Sequence, residues 1–536
     1  MKAPPHRRAD TATIILMILG VGFFIVYGWV ATGGLGKFTS PDETVNFFFA
    51  QRFARGEPLR VPEPLNHIAG NMMYPRSASI AGGDIIPGSF YGVILLAGAV
   101  GRFFGSTAML LLPPLLSAVA VYFFYRLLTG IFGRRIALLA AILLLFQPAF
   151  WYYSSRPMFH NILFVDLLIL GSYFLLRFLK HGGWASALLW PFFIGLSLVM
   201  RTSELPWVAF LVAILLVAHW RQTPKAQLAA GGAVFFATVL PIFLYNIYLY
   251  GAAFSFGYSR PVISLASVGE FTASFGYKLS RIFFPVGIDL GNTLVMVDRY
   301  FLRYFSMYTI LFVLGAAHFL LKLLTGNASR QQRWYGFLFL AVMCWLFLYY
   351  GSGTYTEFGD ADRAILSSSY IRYWLPVFVF MLPWCAIALT ELGRLIRPRL
   401  RPAILCLVLA GTVLASAQLV LFDPLHGLIT VRRIEREAAG ISARVVEATE
   451  PSSVVFAGTA DKIVFPQRKV IANFPNDEAA AQNNFRRLLA RVPVYFFAVR
   501  SDDPTREREK TFERMGLTLM ERLTLSENMV LYQVLP

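Results

Sequence analysis

Charge is what this chain has least of. Only 15% of its 536 residues are Asp, Glu, Lys or Arg, whereas 57% are hydrophobic, and the mean hydropathy is +0.58. A soluble protein of this size has no interior large enough for that much apolar surface, so a soluble globular class is excluded. Acids are scarcer than bases, 30 against 48 Lys and Arg, which leaves a net charge of +18. In a chain built of apolar runs, this imbalance belongs to basic cytoplasmic loops and not to nucleic-acid binding. Cysteine is nearly absent: Cys344, Cys385 and Cys406 all lie in apolar runs, with no metal-ligand spacing and no disulfide framework. No cleavage site follows the first apolar run, so that run is expected to be retained as a span.

What is present is a series of runs near the ~20 residues that a spanning helix needs. They cover 12–32, 107–128, 136–153, 158–179, 184–200, 205–219, 226–250, 304–324, 335–350, 371–390 and 403–422. A further run, 86–104, contains Gly88, Gly92, Gly98 and Gly101 and makes a poor straight helix. If it does not span, the clusters at Arg7–Arg8, Arg134–Arg135, Lys180–His181, Arg221 with Lys225, Arg330 with Arg333, and Arg394 to Arg401 all fall on one side. The positive-inside bias selects that reading. The expected fold class is an all-α polytopic membrane protein of about eleven transmembrane helices, with the N-terminus cytoplasmic. Residues 1–422 form the membrane domain, with external loops at 33–105 and 251–303. Residues 423–536 are polar, and read as a small extracytoplasmic α/β domain. Its expected helix is VRRIEREAAGISARVVEA, and its expected strands are SVVFAG, KIVFP, KVIAN, VYFFAVR and NMVLYQVLP. It has no Gly-rich phosphate loop and no His/Cys cluster.

The stretch SPDETVNFFFAQRFARGEPL follows the first span and places Asp42 and Glu43 where the chain leaves the membrane. Ser40, Pro41 and Glu43 have the spacing of a helix-capping box. An ionised carboxylate at such a mouth can also take a proton from an attacking hydroxyl, with its neighbour orienting it or sharing a divalent cation. Capping and catalysis are both open on spacing alone.

SPDETVNFFFAQRFARGEPLRVPEP resembles the first external loop of GT-C glycosyltransferases, which use polyprenyl-phosphate sugars. The nearest kinds are protein O-mannosyltransferases and the lipid A aminoarabinose transferase. The run ending at Phe104–Gly105, the basic turn FGRRIALLAA and the stretch YIRYWLPVF, which opens a late span, continue the resemblance. It implies that Asp42 and Glu43 are catalytic, with Asp42 the general base of an inverting transfer at the outer face of a bacterial plasma membrane. It also implies a polyprenyl-phosphate sugar donor, a lipid, glycan or protein acceptor, and membrane lipids as surroundings. Where such enzymes often carry a second acid, this chain has His160, so a divalent metal cofactor stays an open question. The WWDYG motif of oligosaccharyltransferases is absent.

A departing phosphate needs cations near the external face. The candidates are Arg156, Arg201, Lys278, Arg281 and Arg372, with Tyr373 beside the last and His160 four residues after the first. Glu204 is near enough to pair with Arg201, and Asp166 is expected to find a structural partner. Trp29, Trp151, Tyr152, Tyr153, Tyr248, Tyr349 and Tyr350 are expected in the interfacial aromatic belts. Two other classes compete with a transferase. A flippase for a lipid-linked sugar would favour paired repeats, and no internal repeat is evident. A non-catalytic envelope scaffold would leave the first loop unexplained.

Overall fold

The computed structural model describes residues 11–34, 36–255, 257, 283–284, 287–355, 364–472, 478–500 and 503–536. Among them, 8 helices are long and apolar enough to cross a membrane, or up to 10 if each of two bent pairs is one span. The chain is a multi-pass membrane protein. The long helices are α1 (Thr11–Ala31), α4 (Ser106–Phe132), α7 (His160–His181), α10 (Lys225–Tyr250), α11 (Ser306–Leu324), α12 (Arg330–Gly351), α13 (Leu375–Leu395) and α14 (Arg401–Phe422). The bent pairs are α5 (Arg134–Phe146) with α6 (Pro148–Ser154), at 57°, and α8 (Trp184–Met200) with α9 (Leu205–Ala218), at 118°. The expected eleven spans counted the two arms of this second pair separately, because hydropathy does not distinguish two crossings from one hairpin. The first bend falls at Pro148, where buried Gln147 caps α6 by accepting from Phe150 N at 2.8 Å.

Contacts divide the chain into two compact units. The first comprises Met1–Trp29, Pro113–Leu240 and Pro261–Thr430. Its helices associate as membrane helices do, through close backbone approach and buried polar contacts. A Cβ on Gly315 of α11 would lie 1.9 Å from the Trp384 carbonyl oxygen of α13, so only glycine permits that crossing. Tyr27 donates to Leu145 O at 2.8 Å, and Ser117 donates to Asp166 Oδ2 at 2.7 Å. Asp166 thus has the structural partner expected of it.

The second unit comprises Val30–Leu112, Pro241–Arg260 and Val431–Pro536. It opens with α2 (Pro41–Ala54) and continues through a hairpin, β1 (Ala78–Ala81) and β2 (Asp84–Pro87), turned by Gly82 and Gly83 at φ +61° and +89°. The short helix α3 (Gly92–Phe104) packs Gly98 against Ala50 O and Phe53. Its 13 residues reach only about 20 Å, short of the ~30 Å hydrocarbon core.

The C-terminal part of this unit begins with α15 (Leu428–Ala448). It continues with β3 (Val454–Phe456), β4 (Lys469–Ile471), β5 (Val494–Val499), β6 (Thr518–Ser526) and β7 (Met529–Leu535), in sheet order β4-β3-β5-β7-β6. Strands β4, β3 and β5 are parallel, whereas β7 is antiparallel to both β5 and β6. Side chains alternate between faces, as the pleat requires. Val454, Phe456, Val494 and Phe496 pack on one face with Ala69, Met72 and Met73 of the first loop. Val455, Tyr495 and Phe497 pack on the other with Val445 of α15, and Phe48 of α2 joins that face.

Two expectations need correction. The run KIVFP is not a strand: Asp461–Val464 is one helical turn, and an apolar run this short looks alike in both conformations. Strand β6 is mostly exposed and polar, so hydrophobic alternation could not reveal it.

Candidate functional site

In the first unit, the site begins at the α8–α9 bend. Arg201 ends α8, and a short turn, Thr202–Glu204, leads into α9. The residues Arg201, Glu204 and Trp207 recur every third position, so the turn carries their side chains together. Arg201 is 3% exposed. Its Nε donates to Glu204 Oε1 at 2.9 Å, its Nη2 donates to Tyr350 Oη at 2.7 Å, and its Nη1 lies 3.0 Å from His160 Nε2. Tyr350 and Trp207 both donate to Glu204, at 2.5 and 2.6 Å. A buried guanidinium held by a carboxylate and further hydrogen bonds meets the condition for keeping a charge away from water.

Two more arginines join through aromatic rings. Arg201 and Arg372 both lie over Tyr373, with guanidinium carbons 4.8 and 5.2 Å from the ring centroid. Arg372 and Arg156 both lie over Phe159, at 5.3 and 5.4 Å. Tyr373 stacks on Tyr350 at 4.5 Å. Arg372 also donates to Ser369 Oγ at 2.8 Å, and Asn161 fixes its backbone by donating to Arg372 O at 3.1 Å. Cation–π contact orients such planar cations without neutralising them. The sequence candidates Arg156, His160, Arg201, Arg372 and Tyr373 therefore fall in one chain of contacts. Lys278 and Arg281 lie outside the described residues.

Arg156 and His160, four residues apart in sequence, do not share a helix face, because α7 begins at His160. Arg156 sits in the preceding turn and donates to Tyr152 Oη at 2.8 Å. Of the aromatics expected in the belts, Trp151, Tyr152, Tyr153 and Tyr350 are buried instead, Tyr349 is half-buried, and Trp29 and Tyr248 are exposed. Phe159 and Trp207 were not anticipated, because only the folded arrangement brings them to the arginines.

In the second unit, Asp42 and Glu43 lie in the first turn of α2. Ser40 is the N-cap, with extended backbone, but its side chain makes no capping bond, so the capping box does not form. Asp42 instead accepts a hydrogen bond from Ser77 Oγ, and it is partly accessible, while Glu43 is fully buried. The loop before α2 is pinned by Lys37. Its ammonium donates to Ile463 O at 2.7 Å, Phe465 O at 3.1 Å and Gln467 Oε1 at 2.5 Å. Burial pushes the Lys37 ammonium down to about 8. Arg76, next to Ser77, binds buried Asp461 through Nη2 at 2.7 Å and through its backbone N at 2.6 Å. The serine that holds Asp42 is thereby anchored to the C-terminal segment.

Among the described residues, no group of three or more His, Cys, Asp or Glu side chains is arranged to hold a metal ion. His160 turns Nε2 toward a guanidinium, a position that repels a cation.

A protein-family model described as Dolichyl-phosphate-mannose-protein mannosyltransferase matches residues 93–245. No curated protein shows a significant sequence match to the chain. Among solved structures, ArnT from Cupriavidus metallidurans in the apo state matches with a TM-score of 0.58 at 10% identity, covering 98% of each chain. The same protein bound to undecaprenyl phosphate gives 0.56 at 11% identity, again over 98% of each. The Archaeoglobus fulgidus oligosaccharyltransferase in the apo form gives 0.53 at 13% identity, over 91% of this chain and 69% of that one.

Proposed function

Because the chain has the GT-C glycosyltransferase fold, we propose that it is an integral membrane glycosyltransferase that moves a single sugar from a polyprenyl-phosphate carrier to an acceptor hydroxyl. The observation that carries this reading is the string of arginines 156, 372 and 201, joined by Phe159 and Tyr373. A sugar phosphate leaves as a more highly charged phosphate. Fixed guanidiniums stabilise that gain without having to reorganise. Undecaprenyl phosphate, which the ArnT structure binds, is the carrier type that such cations would hold.

Asp42 is the general base. The acceptor oxygen attacks the anomeric carbon, its proton passes to the Asp42 carboxylate, and the bond from that carbon to the phosphate oxygen breaks, with inversion. The freed polyprenyl phosphate stays with the arginines. Glu43 supports Asp42 from its buried position. General-base catalysis of this kind contributes about 10²–10⁴ in rate. The reaction lies on the external face of the plasma membrane, with residues 1–422 as the membrane domain and residues 423–536 as the external domain.

The test is a transfer assay in proteoliposomes, with a labelled polyprenyl-phosphate sugar and envelope lipids, glycans and proteins as acceptors. Labelled product, formed together with free polyprenyl phosphate, is expected. D42N should lower the transfer rate at least a hundredfold with carrier binding intact, whereas R372Q should weaken carrier binding. Wild-type transfer by D42N rules out the base. Movement of label across the bilayer without any acceptor makes the chain a transporter.

A further inference from the structure

The first unit contains an apolar cleft of about 330 Å³, which the proposed transfer mechanism does not invoke. Helices α7, α9 and α12 line its length, and α4, α8 and α13 add further residues. The lining extends from Leu168 to Lys180 on α7, from Trp207 to His219 on α9, and from Arg330 to Val342 on α12. Each stretch spans about twelve residues, or about 18 Å of helix. That matches the depth of one leaflet, half of the ~30 Å hydrocarbon core.

The two ends of the cleft differ in chemistry. Lys180, His219 and Arg330 collect at one end, Lys180 and Arg330 are exposed, and no lining residue is acidic. At the other end Trp207 lines the cleft, and its indole N–H donates to Glu204. Between them the lining is almost wholly aliphatic and aromatic.

We propose that this cleft binds one anionic phospholipid, with its phosphate among Lys180, His219 and Arg330 and one acyl chain running inward to Trp207. The length of the cleft, its apolar lining and the single cationic end all suit a lipid from the leaflet that borders Lys180. A carrier gripped by Arg201 would present its phosphate at the opposite end of the cleft. This second lipid is therefore distinct from the carrier, and the proposal stands whether or not the chain transfers sugar.

Native mass spectrometry of the full chain in detergent, with phosphatidylglycerol and phosphatidylcholine of equal chain length, tests it. One phosphatidylglycerol per chain should be retained in preference to phosphatidylcholine. K180Q and R330Q, changes at exposed positions that leave the fold intact by gel filtration, should each lower that preference about fivefold. S172F, which fills the cleft from α7, should abolish retention of both lipids. Equal retention of the two lipids overturns the proposal, as does a preference unchanged in the K180Q/R330Q double variant. So does displacement of the lipid, mole for mole, by added undecaprenyl phosphate.

Discussion

Ser77 Oγ donates to Asp42 Oδ1 at 2.5 Å, across 35 positions of sequence. The bond fixes one oxygen of the carboxylate proposed as the general base. A hydrogen bond to an ionised carboxylate is worth about 1.5 kcal/mol or somewhat more. S77A should therefore lower the transfer rate roughly tenfold, less than D42N, without changing carrier affinity. Equal losses in the two variants would mean that Ser77 does more than orient the acid.

Glu204 holds Arg201 in a buried ion pair. In E204Q the guanidinium keeps its charge and loses that carboxylate, a change that costs about 3–5 kcal/mol when both groups are buried. The melting temperature in detergent should fall by several degrees. The double variant R201Q/E204Q should recover part of that loss and still fail to bind carrier. Thermal unfolding and carrier titration of the same preparations separate the two effects.

Lys37 gives the second unit a pH dependence. Below about pH 8 the ammonium is charged in both the folded and the unfolded chain. Between about 8 and the ordinary 10.5, the unfolded chain keeps a proton that the folded chain has lost, so stability rises with pH across that window. Hydrogen exchange around residues 463–467, followed from pH 7 to pH 10, should slow relative to its intrinsic rate. The trend should vanish in K37M.

Asp461 holds Arg76 through both side chain and backbone. D461N leaves Arg76 a neutral partner and should free the 68–78 segment, seen as faster proteolysis there and a partial loss of transfer. A chain truncated before residue 423 loses the partners of both Lys37 and Arg76 and should expose its first loop in the same assay.

The helical membrane class was legible in hydropathy, because a spanning helix must be written locally as an apolar run. The cations were legible as well: Arg156, Arg201 and Arg372 interrupt or border such runs, where charge is costly. What joins them was not. Phe159 and Tyr373 look like any other aromatic residues near a helix end, and only packing puts two guanidiniums over each ring. The pairing of Lys37 with residues 463–467, or of Arg76 with Asp461, spans about 400 positions and leaves no periodic trace. Strand β6 escaped because its stability comes from pairing with β7 and not from a buried face.

The fold turns back on itself at Arg201 after arms of 17 and 14 residues. Those arms measure about 25 and 21 Å, both less than the ~30 Å of the hydrocarbon slab. A bilayer thins against so short a flank. Headgroups drawn toward the tip of the hairpin would let the proposed isoprenoid carrier reach the guanidinium by drifting sideways into a dimple, with no need to rise out of its leaflet.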